Sequence, residues 1–400
     1  MPAGKDWTSL LRHGDLVVVA GGVGEPTPLL EQLLAAAPSG VEVFVGLSHS
    51  TALTRSSSLP LLSFGALGPL ARPPNNAQLE VIPTHFDDLP RVLTHRGQKL
   101  VLLIQVAAPD PQGCHSLGMA VDHTYELIGH ARAVIAEVNE QLPTTCAPRL
   151  HHSTFTATIA TSRPLPALPP PTIGEVHRRI AAHVLDLIPD GATLQLGIGA
   201  VPSAIGQGLT ERRGLAIRST LAGDWLLDLA TAGALRSAPG AVVISEAAGS
   251  PELYKYVSVS PVQVRPVREV VGPAAAGTID RFVAVNSALQ VDLSGQVNAE
   301  EIPAGYIGGI GGQAEYLRAA QRCPDGRSIV ALPATAGRHS RIVTRLNPST
   351  VTTARSNVDF VATEHGVADL RGRGLQERAE LMISIAAPEH RGSLWEGLNQ

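Results

Sequence analysis

The chain has 400 residues, of which 44% are hydrophobic and 16% are charged. This length predicts two domains, and the apolar share excludes an intrinsically disordered protein. The formal net charge of −4, without a run of five basic residues, argues against a nucleic-acid partner, and no apolar run approaches the ~18 residues of a membrane span. Three scattered cysteines and an N-terminus without an apolar signal core predict reduced thiols in a cytoplasmic protein.

The first half of the chain alternates short apolar runs, rich in β-branched residues, with helix-like stretches. Residues 15–20 predict a strand, residues 25–35 a helix and residues 41–45 a second strand. A third predicted strand, residues 100–106, ends at the turn-rich segment 109–113. This order predicts an α/β fold with mainly parallel strands. Loops at the carboxyl ends of such strands form ligand crevices, so segment 109–113 is a candidate rim.

A proline cluster divides the chain. Residues 163–171 read RPLPALPPP, a sequence that continues neither a helix nor a central strand. We place the boundary there, with one α/β domain at residues 1–165 and a second at residues 172–400. Beyond the cluster the alternation restarts, and it predicts a helix at residues 173–187 and strands at residues 192–196, 241–245, 262–267, 282–286 and 328–332.

Two glycine-rich segments are candidate binding elements. Residues 195–204 follow a strand and open a helix, where backbone amides hold a phosphate or a pantetheine amide, although a plain tight turn is an equal alternative. Residues 308–312 include four glycines, whose exposed amides would polarise a thioester carbonyl, with a flexible loop as the alternative. The candidate contacts in the first segment are Gln195, Gly197, Gly199 and Pro202.

Ordered matches to one known family run nearly the whole length of the chain. They include residues 21–26 (GGVGEP), 104–110 (IQVAAPD), 196–202 (LGIGAVP), 291–300 (VDLSGQVNAE), 309–313 (GIGGQ) and 363–372 (TEHGVADLRG). On these segments the chain resembles the acetyl-CoA hydrolase/transferase group of class I CoA-transferases. The resemblance implies two α/β lobes with the active site between them, coenzyme A held mainly by the C-terminal lobe, and a homodimer.

The resemblance also implies a chemistry. In the family, a glutamate attacks an acyl-CoA, and the resulting glutamyl-CoA thioester passes coenzyme A to a second carboxylic acid. Gly311 and Gly312 match the glycine positions expected to supply an amide for the tetrahedral oxyanion. Gly309 and Gln313 lie in the same matching segment and are further candidate coenzyme A contacts.

The chain departs from the family at the nucleophile. Family members carry a Ser or Thr followed by the glutamate, a few residues before an Asp and an Asp-Leu pair. Here Asp224 and Asp228-Leu229 keep that register, so the glutamate position falls on Thr220. A threonine hydroxyl does not ionise at neutral pH and needs an adjacent base to attack a thioester. Val271 also replaces an asparagine common in the family, and two polar losses together indicate altered chemistry.

Two other carboxylates are candidate substitutes. Glu246 follows the predicted strand 241–245, and Glu269 follows Arg268 in a segment near the family's pocket. A solvated pair with Arg268 is the alternative for Glu269. Glu25 either lines the pocket or caps a helix.

Histidines give no metal signal. His151 and His152 would point in different directions on a strand, so a shared metal is not expected, and structural hydrogen bonding is favoured over a base role for His365. We therefore predict no metal and no cofactor other than coenzyme A as a substrate thioester.

These residues favour an enzyme that acts on an acyl-CoA and a small acceptor without the usual glutamyl-CoA intermediate. Hydrolysis or acyl transfer to another acceptor requires only oxyanion stabilisation and an activated nucleophile. Three alternatives stay open. They are coenzyme A transfer through Glu246, a decarboxylase or lyase that stabilises a thioester enolate, and a non-catalytic acyl-CoA-binding subunit.

Overall fold

The computed structural model describes residues 6–49, 51–54, 58–71, 79–272, 279–346 and 350–398. Its chain forms two compact units, each built from separate segments. The first unit comprises Met1–Leu168, Val243–Val270 and Gly305–Gly311, and the second comprises Pro169–Val242, Val271–Ala304 and Gly312–Gln400. The change at Leu168 lies in the proline cluster, but two later segments return to the first unit. The domain limits 1–165 and 172–400 stay a prediction.

The helices and strands are numbered in chain order. The helices are α1 Thr27–Ala36, α2 Leu89–His95, α3 Thr124–Leu127, α4 Glu175–Leu185, α5 Ala200–Gly208, α6 Trp225–Thr231, α7 Pro251–Val259, α8 Val267–Val271, α9 Gln313–Arg322, α10 Leu375–Ser384 and α11 Pro388–Leu398. The strands are β1 Asp15–Val19, β2 Glu42–Val45, β3 Leu61–Ser63, β4 Leu79–Val81, β5 Lys99–Ala107, β6 Cys114–Ser116, β7 Ala131–Asn139, β8 Arg149–His151, β9 Ala157–Thr161, β10 Thr193–Leu196, β11 Ala216–Ala222, β12 Val242–Ala247, β13 Gln263–Val264, β14 Phe282–Asn286, β15 Gln290–Asp292, β16 Val297–Asn298, β17 Glu301–Ile302, β18 Gly305–Tyr306, β19 Arg327–Ala331, β20 Thr335–Ala336, β21 His339–Ser340, β22 Ile342–Val343, β23 Phe360–Thr363 and β24 Gly366–Asp369.

The first unit is built on a parallel sheet of seven strands in the order β4-β3-β2-β1-β5-β7-β9. All five residues of β1 are buried, as expected for a central strand covered on both faces. Val17 and Val19 of this strand pack with Leu29 and Leu33 of α1 in one apolar core. A glycine turn follows β1 directly and therefore lies at the carboxyl edge of this sheet.

In the second unit, six strands follow one another in the order β11-β10-β14-β19-β23-β24. Successive pairs are parallel except β24, which returns antiparallel beside β23. The predicted α/β class with mainly parallel sheets is therefore confirmed. Among the described helices, none combines the length and the apolar character needed to cross a bilayer.

One predicted strand, residues 262–267, is wrong beyond its first half. The strand β13 covers only Gln263–Val264, and α8 begins at Val267. Pro266 explains the change, because proline donates no hydrogen bond to a sheet and fits directly before or within the first turn of a helix.

Candidate functional site

A glycine turn in the first unit meets a glutamate from a distant part of the chain. The turn follows β1, and Gly22 adopts a left-handed φ of 61°. Its N–H donates to the carbonyl oxygen of Leu47 over 2.6 Å. A Cβ atom at Gly22 would lie 2.1 Å from Oε1 of Glu246, so a side chain at this position would collide with the glutamate. Glycine is required here by both the backbone and the space.

Glu246 stands near the end of β12, beside the segment that contains Met119 and Val121. The Val121 N–H donates to the Ser245 carbonyl over 2.8 Å, and the Ala247 N–H donates to the Met119 carbonyl over 3.0 Å. These bonds on both sides fix the backbone of Glu246, whose side chain is half-buried. Its Oε1 accepts the Val23 N–H over 2.8 Å, whereas Oε2 accepts no hydrogen bond from the described residues.

A second carboxylate, Asp122, is held by the same turn. The Gly21 N–H donates to Oδ2 of Asp122 over 2.7 Å, two residues before the amide that binds Glu246. Oδ1 of Asp122 accepts the backbone N–H of Thr124 over 2.9 Å. Alternate amides of one turn therefore hold two acidic side chains close enough to interact.

The environment raises the pKa of Glu246 to about 7. Burial is the largest cause, because it disfavours the charged form, and the negative charge of Asp122 acts in the same direction. The hydrogen bond from Val23 opposes both. A carboxyl group with this pKa exchanges protons near neutral pH, which is the property of a general acid or base.

The imidazole of His123 adds no positive charge beside the carboxylates of Glu246 and Asp122. His123 is buried against Phe44 and Phe86, and neither of its ring nitrogens has a hydrogen-bond partner in the described part of the chain. Burial lowers the pKa of His123, although Asp122, 3.6 Å from Nδ1, acts the other way. The ring is therefore neutral at neutral pH.

The other acidic candidates of this unit have different surroundings. Glu269 is exposed on α8. Glu25 is buried, and its carboxylate accepts hydrogen bonds from the hydroxyls of Ser48 and Thr27. Thr27 begins α1, so Glu25 is tied to the start of that helix.

Thr220 lies on β11 in the second unit and is half-buried. Its backbone N–H donates to the hydroxyl of Tyr316 over 2.7 Å. The Thr220 hydroxyl forms no hydrogen bond with a base among the residues that the structure describes. Thr220 therefore lacks the partner that a hydroxyl nucleophile needs.

Tyr316 links Thr220 to Gly312 and was missed from the sequence. A Cβ atom at Gly312 would lie 3.2 Å from Cε2 of Tyr316 and 3.7 Å from a methyl group of Val271. Tyr316 is only 2% exposed. A buried tyrosine hydroxyl needs a hydrogen-bond partner. A tyrosine on the apolar face of the helix α9 is therefore the only sequence feature that could have pointed to Tyr316.

The predicted coenzyme A contacts at residues 195–202 follow β10. Oε1 of Gln195 accepts the Asn286 side-chain amide over 2.8 Å, and the Gly197 carbonyl accepts the Trp225 indole N–H over 3.0 Å. Gly199 has a φ of 111° directly before α5, and Pro202 occupies the first turn of that helix. A Cβ atom at Gly197 or Gly199 would meet nothing within 4 Å, so the turn is open around both glycines.

The glycines at residues 308–312 are divided between the units. In the first unit, Gly309 packs against Gly65, and the Gly311 carbonyl accepts the Phe86 N–H over 2.9 Å. In the second unit, the Gln313 side-chain amide donates to the Ser287 carbonyl over 2.7 Å and accepts the Thr353 hydroxyl over 2.9 Å. Both ends of the Gln313 amide are thus engaged within the protein.

The predicted divergence of His151 and His152 is wrong. Their ring centroids are 4.0 Å apart, because β8 ends at His151 and His152 begins a single helical turn, so strand alternation does not apply. Within the described ranges, no group of three His, Cys, Asp or Glu side chains is arranged to hold a metal ion.

Comparison with protein families gives two matches that together span most of the chain. Residues 4–147 match the acetyl-CoA hydrolase/transferase N-terminal domain. Residues 249–398 match the acetyl-CoA hydrolase/transferase C-terminal domain.

Individual relatives agree with these matches. The chain is 35% identical to 4-hydroxybutyrate coenzyme A transferase of Clostridium kluyveri over 96% of this chain and 94% of that protein. Among solved structures, 4-hydroxybutyrate CoA-transferase from Porphyromonas gingivalis has a TM-score of 0.80 at 30% identity, and RipA from Yersinia pestis has a TM-score of 0.90 at 27% identity. Both alignments cover 98% of this chain and 95% of the solved chain. The chain therefore belongs to the acetyl-CoA hydrolase/transferase family and is an enzyme that acts on an acyl-CoA.

Proposed function

We propose that the protein hydrolyses an acyl-CoA thioester, or transfers its acyl group to another small acceptor, with Glu246 as the general base. The observation that supports this proposal is the raised pKa of the Glu246 carboxylate together with the free hydrogen-bonding capacity of its Oε2. Its pKa of about 7 suits proton exchange at neutral pH, and Oε2 is left without a protein hydrogen-bond donor among the described residues. An oxygen of this kind is suited to bind the water that attacks the thioester.

The proposed reaction has two steps. Ionised Glu246 removes a proton from water while the water oxygen adds to the thioester carbonyl carbon. The tetrahedral intermediate then collapses, its carbon–sulfur bond breaks, and protonated Glu246 returns the proton to the departing sulfur. The products are a carboxylic acid and coenzyme A. The amides of Gly311 and Gly312 are the proposed donors to the oxyanion, which forms and disappears in these steps.

Coenzyme A recognition is part of the same proposal. The open glycine turn at Gly197 and Gly199, before α5, supports its assignment as a contact for pantetheine or phosphate groups. Gln195, Pro202, Gly309 and Gln313 stay proposed contacts.

A second candidate function is coenzyme A transfer with Glu246 as the nucleophile. The observation that favours it is the same desolvated carboxylate, which replaces the family glutamate in chemical type if not in position. A pKa near 7 favours the base, because a carboxylate of this basicity takes a proton from water at neutral pH more readily than one with an ordinary pKa.

An isotope experiment separates the two reactions. We expect a single turnover in ¹⁸O-labelled water to place the label directly in the released carboxylic acid, because water attacks the acyl carbon. In the nucleophilic route, Glu246 forms an anhydride and coenzyme A attacks its glutamyl carbon. The first acid released then carries an unlabelled oxygen from Glu246, and this outcome would contradict the proposal. Acetyl-, butyryl- and 4-hydroxybutyryl-CoA are suitable substrates, and no turnover with any thioester would favour a binding subunit.

The charge of Asp122 should be visible in the pH profile of hydrolysis. The wild-type rate is expected to rise with pH and to level off above about pH 7, because the base acts only when ionised. Asp122→Asn removes a negative neighbour, so the midpoint should move to lower pH. The shift should be small, because burial is the larger cause of the raised pKa. Asp88→Asn, which removes a half-buried carboxylate that pairs with Arg91 and does not contact Glu246, provides the control. An unmoved or raised midpoint in Asp122→Asn would contradict the assignment.

A further inference from the structure

A cleft of about 650 Å³ opens in the second unit, and none of the glycine turn at residues 197–199 lines it. It lies where Thr193 begins β10, Ala216 begins β11 and Arg281 precedes β14. Because these strands are parallel, all three positions mark the amino-terminal edge of the sheet. Gly197 follows the carboxyl end of β10, so the cleft and the glycine turn are at opposite edges.

Two guanidinium groups converge on Gly191 in this cleft. Nη2 of Arg236 donates to the Gly191 carbonyl over 3.1 Å. Nη1 of Arg281 lies 3.2 Å from the position that a Gly191 Cβ atom would occupy. Asp280 and Asp325 also line the cleft, yet no described carboxylate forms an ion pair with Arg236 or Arg281. Both arginines are exposed, and an anion bound between two like charges would offset their mutual repulsion.

The backbone around the cleft is strained. Arg281 has a φ of 50° and Asp325 a φ of 54°, values in the left-handed region that non-glycine residues seldom adopt. Neighbouring segments hold Arg281 in this conformation, because its N–H donates to the Pro324 carbonyl over 2.9 Å and its carbonyl accepts the Thr193 N–H over 3.1 Å. Strain that the surrounding structure imposes in this way is concentrated at ligand sites.

We propose that the cleft binds a phosphate ester of a small hydroxylated molecule, with Arg236 and Arg281 on the phosphate group. Guanidinium groups match phosphate oxygens with paired hydrogen bonds. The volume exceeds that of a phosphate ion and lies within the ~300–1,000 Å³ of small-molecule sites. The carboxylates of Asp280 and Asp325 would accept hydrogen bonds from the hydroxyls of the ester, such as those of a ribose.

Calorimetry on the full chain tests this site with adenosine monophosphate, ribose 5-phosphate and inorganic phosphate at constant ionic strength. We expect saturable binding of at least one ester, tighter than that of inorganic phosphate. Arg236→Gln and Arg281→Asn should each weaken binding at least tenfold. Asparagine is chosen at position 281 because it tolerates a left-handed backbone.

Arg179→Gln, on the exposed surface of α4 in the same unit, is the matched control and should bind as the wild type does. Acyl-CoA turnover without added ester should stay unchanged in the Arg236 and Arg281 variants, so failure of this site and failure of the proposed hydrolysis are distinguishable. Absence of saturable ester binding, or equal affinity in all variants, would overturn the proposal.

Discussion

Glu246→Gln is expected to reduce acyl-CoA hydrolysis by about 10² to 10⁴-fold, the range that general acid–base catalysis contributes. Glutamine preserves the shape of the side chain and still accepts the Val23 N–H, but it cannot take a proton from water. The loss should therefore appear in kcat, with little change in KM. Release of free coenzyme A thiol, followed under saturating acyl-CoA, measures it directly.

Two surface variants provide the controls. Glu252→Gln on α7 and Glu269→Gln on α8 both remove an exposed carboxylate and should keep wild-type turnover. If Glu269→Gln is as inactive as Glu246→Gln, or if Glu246→Gln keeps full activity, the assignment of the base is wrong.

Unfolding measurements check that Glu246→Gln alters chemistry and not the fold. Folding raises the pKa of the Glu246 carboxyl from 4.5, the ordinary value of a solvated glutamate, to about 7. Between these values the folded state binds more protons than the unfolded state, so the wild-type free energy of unfolding should fall as pH rises through this window. Glu246→Gln should lose this part of the pH dependence and unfold at no lower temperature than the wild type near pH 7.

Much of the fold was readable from local sequence because parallel strands buried on both faces are continuous apolar runs. The prediction for residues 282–286 coincides with β14, and those for residues 15–20 and 328–332 agree with β1 and β19 to within one residue at each end. The return of residues 243–270 to the first unit was not readable, because it depends on contacts between segments far apart in the chain.

The sequence indicated individual residues of the candidate site but not the contacts between them. Glu246 stood out as a carboxylate that follows a predicted strand, and Gly22 only as part of the matching segment 21–26. Their contact joins positions more than 220 residues apart, and no local pattern specifies which side chain occupies the space that Gly22 leaves. The role of Asp122 was not readable from the sequence, because its effect on Glu246 exists only after the turn brings the two carboxylates together.

Thr220→Glu is expected to create CoA-transferase activity at least about 10²-fold above the parent, because it places a carboxylate nucleophile at the position that the sequence resemblance assigns to the family glutamate. Thr220 is half-buried on β11, and Tyr316 holds its backbone rather than its side chain, so the substitution leaves that hydrogen bond available. Mixing an acyl-CoA with a second carboxylic acid and detecting the new thioester by mass spectrometry gives the measurement. Borohydride treatment should reduce a glutamyl-CoA thioester at position 220 and mark the residue.

A double variant separates the restored reaction from the proposed native one. Thr220→Glu combined with Glu246→Gln should transfer coenzyme A yet hydrolyse little, because the new carboxylate attacks the thioester without a base. Thr220→Gln has nearly the same size and no charge, so it should gain nothing. If Thr220→Glu folds normally and forms no thioester at position 220, then residue 220 is not at the nucleophile position. Another residue of this chain would then occupy the position of the family glutamate, and the inference of altered chemistry would lose its basis.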